Sequence, residues 1–233
     1  MVAAKSKISH VIFDLDGLLV DTERCYTVAN NETCAVFGKD FPMELKAMMM
    51  GRKREEAIKV LLEYHGLVGK VSLAEYAKIS EEKLAELLPK AALLPGAMKL
   101  VEYFKSQSIP MAICTGSGTH DFKLKTQNHE RLLELIPLRV LTGDDPEVKR
   151  GKPAPDGFLV TQGRFETIPE DATNVLVFED APNGVQSAIS AGMRVVAVPT
   201  PGIPFPDEIR KGADVVLKSL EEFDPEVFGL PAF

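Results

Sequence analysis

Six apolar runs, each too short for an ordinary helix, recur along the 233-residue chain at 11–13, 111–114, 138–141, 175–178, 195–198 and 215–217. Most are continuous rather than alternating, and several are rich in valine and isoleucine. A strand with one face in water alternates polar and apolar residues. A continuous run belongs to a strand covered on both faces, as in a parallel sheet. Between the runs the period changes. Ala97, Leu100, Val101 and Phe104 repeat at helical spacing. Pro182 opens a second amphipathic segment with Val185, Ala188 and Ile189 on its apolar stripe, and Gly192 stands where a helix C′ residue belongs. Strand alternating with helix predicts an α/β fold with a doubly wound parallel sheet.

The stretch from 21 to 89 breaks that rhythm. Ala57, Ile58, Leu61 and Leu62 repeat at helical spacing, as do Leu73, Tyr76, Ala77, Ser80, Leu84, Leu87 and Leu88, and no convincing strand lies among them. A small helical bundle inserted after the first strand is the expectation, with Pro95-Gly96 marking re-entry to the sheet.

Open parallel sheets bind ligands beyond the carboxyl ends of their strands, so the residues following each run matter most. The first run ends in Asp14-Leu15-Asp16-Gly17, two carboxylates where a strand is being buried. Unpaired buried charge costs several kcal/mol or more, on the order of its desolvation. An EF-hand does not explain them, because Leu18 stands where a further ligand is needed. The second run ends in Thr115-Gly116-Ser117-Gly118, whose small residues and hydroxyls suit an anion or, equally, a helix start. The third of the glycines needed for a dinucleotide fingerprint is Asp121, so that site is discounted. Gly151-Lys152-Pro153-Ala154-Pro155-Asp156 holds a lysine ahead of two ring-restricted residues. The fourth run ends in Glu179-Asp180-Ala181-Pro182-Asn183-Gly184; a helix cap accounts for Asp180 but leaves Glu179 unexplained. Four carboxylates at neighbouring strand ends call for a hard divalent cation, and Mg²⁺ accepts a few carboxylates together with water and phosphate. A lysine and hydroxyls beside it would clamp phosphate oxygens, which points to phosphoryl transfer. The chain has no G-x-x-x-x-G-K-[ST] loop.

The ordered set D-L-D-G, T-G-S, G-K-P-A-P-D and F-E-D-A-P-N-G resembles the motifs of the haloacid-dehalogenase-like phosphohydrolases. LLVDTERCY, MMMGRKREEA, TGDDPEVKRGKPAPDGF and the ending FGLPAF are similar to the branch of that family that hydrolyses pseudouridine 5′-monophosphate. The resemblance implies a Rossmann-like core over 1–20 and 90–233 and an α-helical cap over 21–89. It implies that Asp14 is the nucleophile that becomes an aspartyl-phosphate. Asp16 would be the general acid and base and would lend its backbone carbonyl to Mg²⁺. Thr115 would bind the transferring phosphoryl group and Lys152 would neutralise nucleophile and phosphate. Asp14, Asp16, Glu179 and Asp180 would hold the metal. Gly116, Ser117, Gly51 and Arg54 would contact phosphate or substrate. Some relatives with a lysine just before the cap-loop glycine are sugar-phosphate mutases; Met50 occupies that place here, which weakens the mutase alternative. A non-catalytic regulatory module is a third alternative, disfavoured because every expected catalytic side chain is present. Asp16 has to carry a proton when the alcohol leaves, against an ordinary aspartate pKa of about 3.9, so its surroundings must raise that value or supply the proton.

The remaining features bound the partners. A net charge of −7 gives no general pull on nucleic acid or anionic membranes. Three cysteines match neither a disulfide framework nor a zinc site, and reduced thiols in the cytoplasm are expected. No apolar run approaches the roughly 20 residues of a membrane span, and the first ten residues do not read as a signal peptide. The expected partner is a small phosphate ester, met by a monomer. His10, His65, His120 and His129 are assigned no catalytic role. Asp21 is read as a helix N-cap at the entry to the cap, and Asp144 and Asp145 as turn residues.

Overall fold

The structure, a computed structural model, describes residues 7–49, 54–202 and 204–233. Each apolar run is a strand, with ends moved by no more than one residue: β1 (His10–Phe13), β2 (Met111–Thr115), β3 (Leu138–Leu141), β4 (Val175–Glu179), β5 (Arg194–Ala197) and β6 (Val215–Val216). They form one sheet in the order β3-β2-β1-β4-β5-β6, and every pairing is parallel. Strand order reverses at β1, so β2 and β4 flank it. The crevice such a reversal creates lies beyond the carboxyl ends of β1 and β4, where the two acidic motifs sit.

Among the described residues there are ten α-helices: α1 (Thr22–Val36), α2 (Met43–Met49), α3 (Arg54–Tyr64), α4 (Leu73–Leu87), α5 (Ala97–Ser106), α6 (Thr119–Thr126), α7 (Glu130–Leu135), α8 (Asp156–Gly163), α9 (Pro182–Ser190) and α10 (Asp207–Gly212). Successive side chains of a strand point to opposite faces, and β1 shows the consequence. Val11 and Phe13 enter the core under α5, whose Ala97, Leu100, Val101 and Phe104 are all buried. Ile12 enters the opposite core with Phe158 of α8 and Val185 and Ala188 of α9. The first core holds an aromatic stack in which Phe178 meets Phe13 at 5.2 Å, Phe104 at 5.9 Å and Phe223 at 5.0 Å between centroids. Phe178→Ala is therefore expected to cost about 3–5 kcal/mol, because the vacated volume is bounded by strands that cannot collapse into it. Urea unfolding monitored by circular dichroism reads this directly; a loss below 1 kcal/mol, roughly the scale of a partly exposed side chain, would contradict the packing.

Helices α1 to α4 lie between β1 and α5 in sequence and share a core of their own built on Cys34, Leu45, Ile58, Leu61, Leu62 and Tyr76. Leu73, read from its spacing as part of the α4 stripe, is exposed. It is the first residue after the cap, where Ser72 accepts from the Glu75 amide at 3.1 Å, and residues 72–75 are all exposed before Tyr76 enters the core. The two connections to the sheet run side by side. Val20 pairs with Leu93, the Asp21 amide donates to the Ala92 carbonyl, and the Leu94 amide donates to the Leu19 carbonyl, both at 2.9 Å. Asp21 caps α1, accepting from the Arg24 amide. Among the described residues no helix is long and apolar enough to cross a membrane.

Candidate active site

Asp14 is the first residue beyond β1, and its amide donates to the Phe178 carbonyl of β4 at 3.0 Å. That bond sets it beside Glu179, the last residue of β4, and Asp180 follows. Oxygens of Asp14, Glu179 and Asp180 lie within 4.8 Å of one another, and all three residues are buried. The Lys152 ammonium stands among them, 2.5 Å from Asp14 Oδ1 and 2.6 Å from Glu179 Oε1, and it also donates to the Cys114 carbonyl at 3.2 Å. Glu179 Oε2 accepts from the amides of Asp180 and Ala181, and Thr200 Oγ1 donates to Asp180 Oδ2 at 2.8 Å.

Two glycines make this crowding possible. Gly17 has φ +77°, and a β-carbon on it would fall against the Asp180 carboxylate. A β-carbon on Gly184, in the first turn of α9, would overlap the Glu179 carboxylate. The glycines of D-L-D-G and A-P-N-G thus leave room for acidic groups contributed by other residues.

Three carboxylates against one ammonium leave two negative charges in excess. Burial raises the Asp14 carboxyl to about 7; Lys152 opposes this, and Glu179 and Asp16 add to it. Asp180 is also pushed well above the usual carboxylate range, first by burial and then by Glu179 and Asp14. Burial acts against the charge of Lys152, but its carboxylate partners outweigh it and hold the ammonium firmly protonated. A pocket of hard oxygens two positive charges short of neutrality fits a divalent cation of the Mg²⁺ kind.

Asp16 belongs to a different group. Its side chain turns away from the other carboxylates into four donors. Oδ1 accepts from Lys125 Nζ at 2.5 Å and from Thr22 Oγ1 at 3.0 Å; Oδ2 accepts from Thr115 Oγ1 and Ser117 Oγ, each at 2.9 Å. Burial alone would raise its pKa, but the charge of Lys125 and the bonds from Lys125, Thr115 and Ser117 bring it below the ordinary value. Of the two alternatives read from the sequence, a raised pKa or a proton supplied when needed, the first is not seen here, because four donors stabilise the charged form of Asp16.

The remaining predicted residues divide. Thr115 and Ser117 stand at the end of β2, with their hydroxyls committed to Asp16. A β-carbon on Gly116 would meet open space. Arg54 lines a cavity of about 820 Å³ between α1, α3, α4 and α6, but its guanidinium is engaged by Glu81 and by the Ala77 carbonyl. Tyr26, Asn30, Tyr76 and His120 line the same cavity. Gly51 and Met50 lie outside the described residues. Asp145, read as a turn residue, also forms a two-bond ion pair with Arg164.

Sequence reasoning missed Lys125, Thr22 and Thr200. A faint signal existed for Lys125, since Phe122, Lys125 and Thr126 share the buried face of α6 at spacings of three and four. Two of those three buried residues are polar, so no apolar stripe advertised the face. For Thr200 nothing local distinguished it from any loop threonine.

Comparison with known proteins adds four findings. The sequence profile of the family described as "Haloacid dehalogenase-like hydrolase" matches residues 11–198. The protein named "(DL)-glycerol-3-phosphatase 2" from Arabidopsis thaliana is 46% identical over 233 residues, covering 100% of this chain and 96% of its own. The protein named "Probable pseudouridine-5′-phosphatase" from Drosophila melanogaster is 43% identical over 227 residues, covering 97% and 96%. Among solved structures, the one described as "putative beta-phosphoglucomutase" from Thermotoga maritima superposes with a TM-score of 0.75 at 27% identity, covering 95% of this chain and 97% of its own.

Proposed function

The chain belongs to the haloacid dehalogenase-like hydrolase family and is a phosphatase, and from that premise we propose that it is a Mg²⁺-dependent phosphomonoesterase working through an aspartyl-phosphate on Asp14. The observation that carries this reading is the seating of Asp14 against Lys152, Glu179 and Asp180 at the carboxyl edge of the sheet, with Asp16 beside it but turned away. Asp14, Glu179, Asp180 and the backbone carbonyl of Asp16 would hold the ion. Once bound, Mg²⁺ would neutralise the excess charge and draw electron density from the phosphate oxygens.

The protein's own residues supply the rest. Lys152 offsets the charge of Asp14, so that an anionic nucleophile can approach an anionic phosphate. Asp14 attacks phosphorus, the bond to the leaving oxygen breaks, and Asp16 delivers a proton to that oxygen. In the second half, water attacks the same phosphorus, Asp16 takes back a proton, and the bond to Asp14 breaks. Before substrate arrives, Asp16 is held as a carboxylate. A phosphoryl group that draws the hydroxyls of Thr115 and Ser117 to itself removes two donors from Asp16 and adds negative charge nearby. Both changes favour its protonated form, which the leaving alcohol needs.

The substrate we propose is pseudouridine 5′-monophosphate, supported by the 43% identical relative and by the cavity of about 820 Å³ between α1, α3, α4 and α6, large enough for a nucleoside, whose wall includes Tyr26, the ring that Lys125 faces. Helices α1 to α4 would serve as a cap whose closure over that cavity excludes water before the aspartyl-phosphate forms. A second reading, glycerol 3-phosphate, is favoured by the 46% identical relative. The three free, buried cysteines suit a reducing cytoplasm. The deciding experiment measures phosphate release from pseudouridine 5′-monophosphate, uridine 5′-monophosphate, glycerol 3-phosphate and β-glucose 1-phosphate, each with excess Mg²⁺ and again with chelator. We expect the highest kcat/KM on pseudouridine 5′-monophosphate and loss of activity with chelator. Turnover of the glucose ester only when a bisphosphate activator is present, with no net phosphate release, would make the protein a mutase instead.

A further inference from the structure

We propose that Lys125 is the positioning residue for Asp16, holding one of its oxygens in place while the other handles the proton; this rests on the phosphatase reading above. Lys125 is 4% exposed, and its ammonium is not needed by the Asp14 group, which has Lys152. Its three protons have three destinations: Asp16 Oδ1 at 2.5 Å, Ser117 Oγ at 2.8 Å and the face of the Tyr26 ring, whose centroid lies 5.4 Å away.

The argument follows from counting protons. A serine or threonine hydroxyl has a single proton to give. Thr115 and Ser117 give theirs to Asp16 Oδ2 and have none left for a phosphate oxygen. When substrate draws those hydroxyls away, Oδ2 is released and becomes the oxygen that transfers the proton. Oδ1 remains fixed by Lys125, with Thr22 as a second, neutral donor. Ser117 Oγ accepts from Lys125, so its lone proton is directed toward Asp16 or toward the phosphate, never back at the lysine. Lys125 therefore orients both the proton carrier and one phosphate-binding hydroxyl without touching the reacting atoms.

The test compares two leaving groups. A nitrophenolate departs without help from an acid, whereas an alkoxide must be protonated as the phosphorus–oxygen bond breaks. Lys125→Met is expected to lower kcat on the better alkyl ester of the panel by about 10²-fold or more, the scale of general acid catalysis. The initial burst of nitrophenolate from p-nitrophenyl phosphate, which reports attack by Asp14, should slow by no more than about threefold. Lys125→Arg, which keeps the charge, should recover much of the alkyl-ester rate. In an Asp16→Asn background, adding Lys125→Met should cost no more than about threefold further, the share it exerts through Ser117, since its main action is through Asp16. Equal losses on both esters, or a larger further loss on top of Asp16→Asn, would overturn the assignment. The Asp16→Asn pair also serves if Lys125→Met alone leaves a buried carboxylate that prevents folding. An inactive wild-type protein would sink the phosphatase reading and this one together; an active wild type with an unchanged ester ratio in Lys125→Met would sink only this one.

Discussion

Asp14→Asn is expected to lower kcat by at least about 10⁴-fold and, in the absence of metal, to make the protein more stable. The first effect follows because an amide cannot form the acyl phosphate, while the substitution leaves shape and packing unchanged. The second follows from the charge count. Asp14 is one of three buried carboxylates facing a single ammonium, and burial has already pushed its pKa to about 7. At pH 8 the metal-free wild type must keep that group ionised in a poor environment. Asparagine removes the charge, and Lys152 keeps Glu179 as a partner at 2.6 Å. The gain should be about 1–3 kcal/mol. Phosphate release and a thermal melt with chelator at pH 8 check the two effects on one sample. A variant that is inactive and also markedly less stable would mean that Asp14 holds the fold together rather than straining it.

Mg²⁺ should stabilise the protein much more at pH 8 than at pH 5. Asp14 and Asp180 both have folded-state pKa values raised above those of the unfolded chain. A raised carboxyl means that the folded state binds the proton more tightly, so metal-free stability falls as pH rises from about 4 to about 7. A cation competing for the same oxygens must displace more of those protons at pH 5 than at pH 8, where Asp14 is largely ionised. His10, whose pKa burial lowers, titrates in a nearby range with the opposite sign. It hydrogen-bonds to Thr167, away from the acidic group, so it cancels when melts with and without Mg²⁺ are compared at one pH. With the ion at a hundred times its dissociation constant, the expected gain at pH 8 is about 2.7 kcal/mol. Equal Mg²⁺ shifts at both pH values would remove Asp14 and Asp180 from the metal site.

The legible part of the protein was the part governed by local pattern. Continuous apolar runs such as 175–178 placed the strands, because burial on both faces leaves no position for a polar residue. The spacing of Ala97, Leu100, Val101 and Phe104 placed α5. Side-chain partnerships were less legible. Arg54, read as a substrate contact from its neighbourhood in the chain, spends its guanidinium on Glu81, 27 positions away. Leu73 kept the helical period yet faces solvent, because periodicity cannot say where a bundle ends.

From its sequence alone this protein was bound to place carboxylates at the ends of two buried strands, since each strand can accept charge only where it stops. Which carboxylate answers to which cation was settled by the sheet order. Asp14 and Asp16 are two residues apart, yet one is held by Lys152, 138 positions on, and the other by Lys125 on α6. Both partnerships join residues far apart in sequence, and Coulomb attraction in a buried site acts on distance in space, which only packing β1 between β2 and β4 provides.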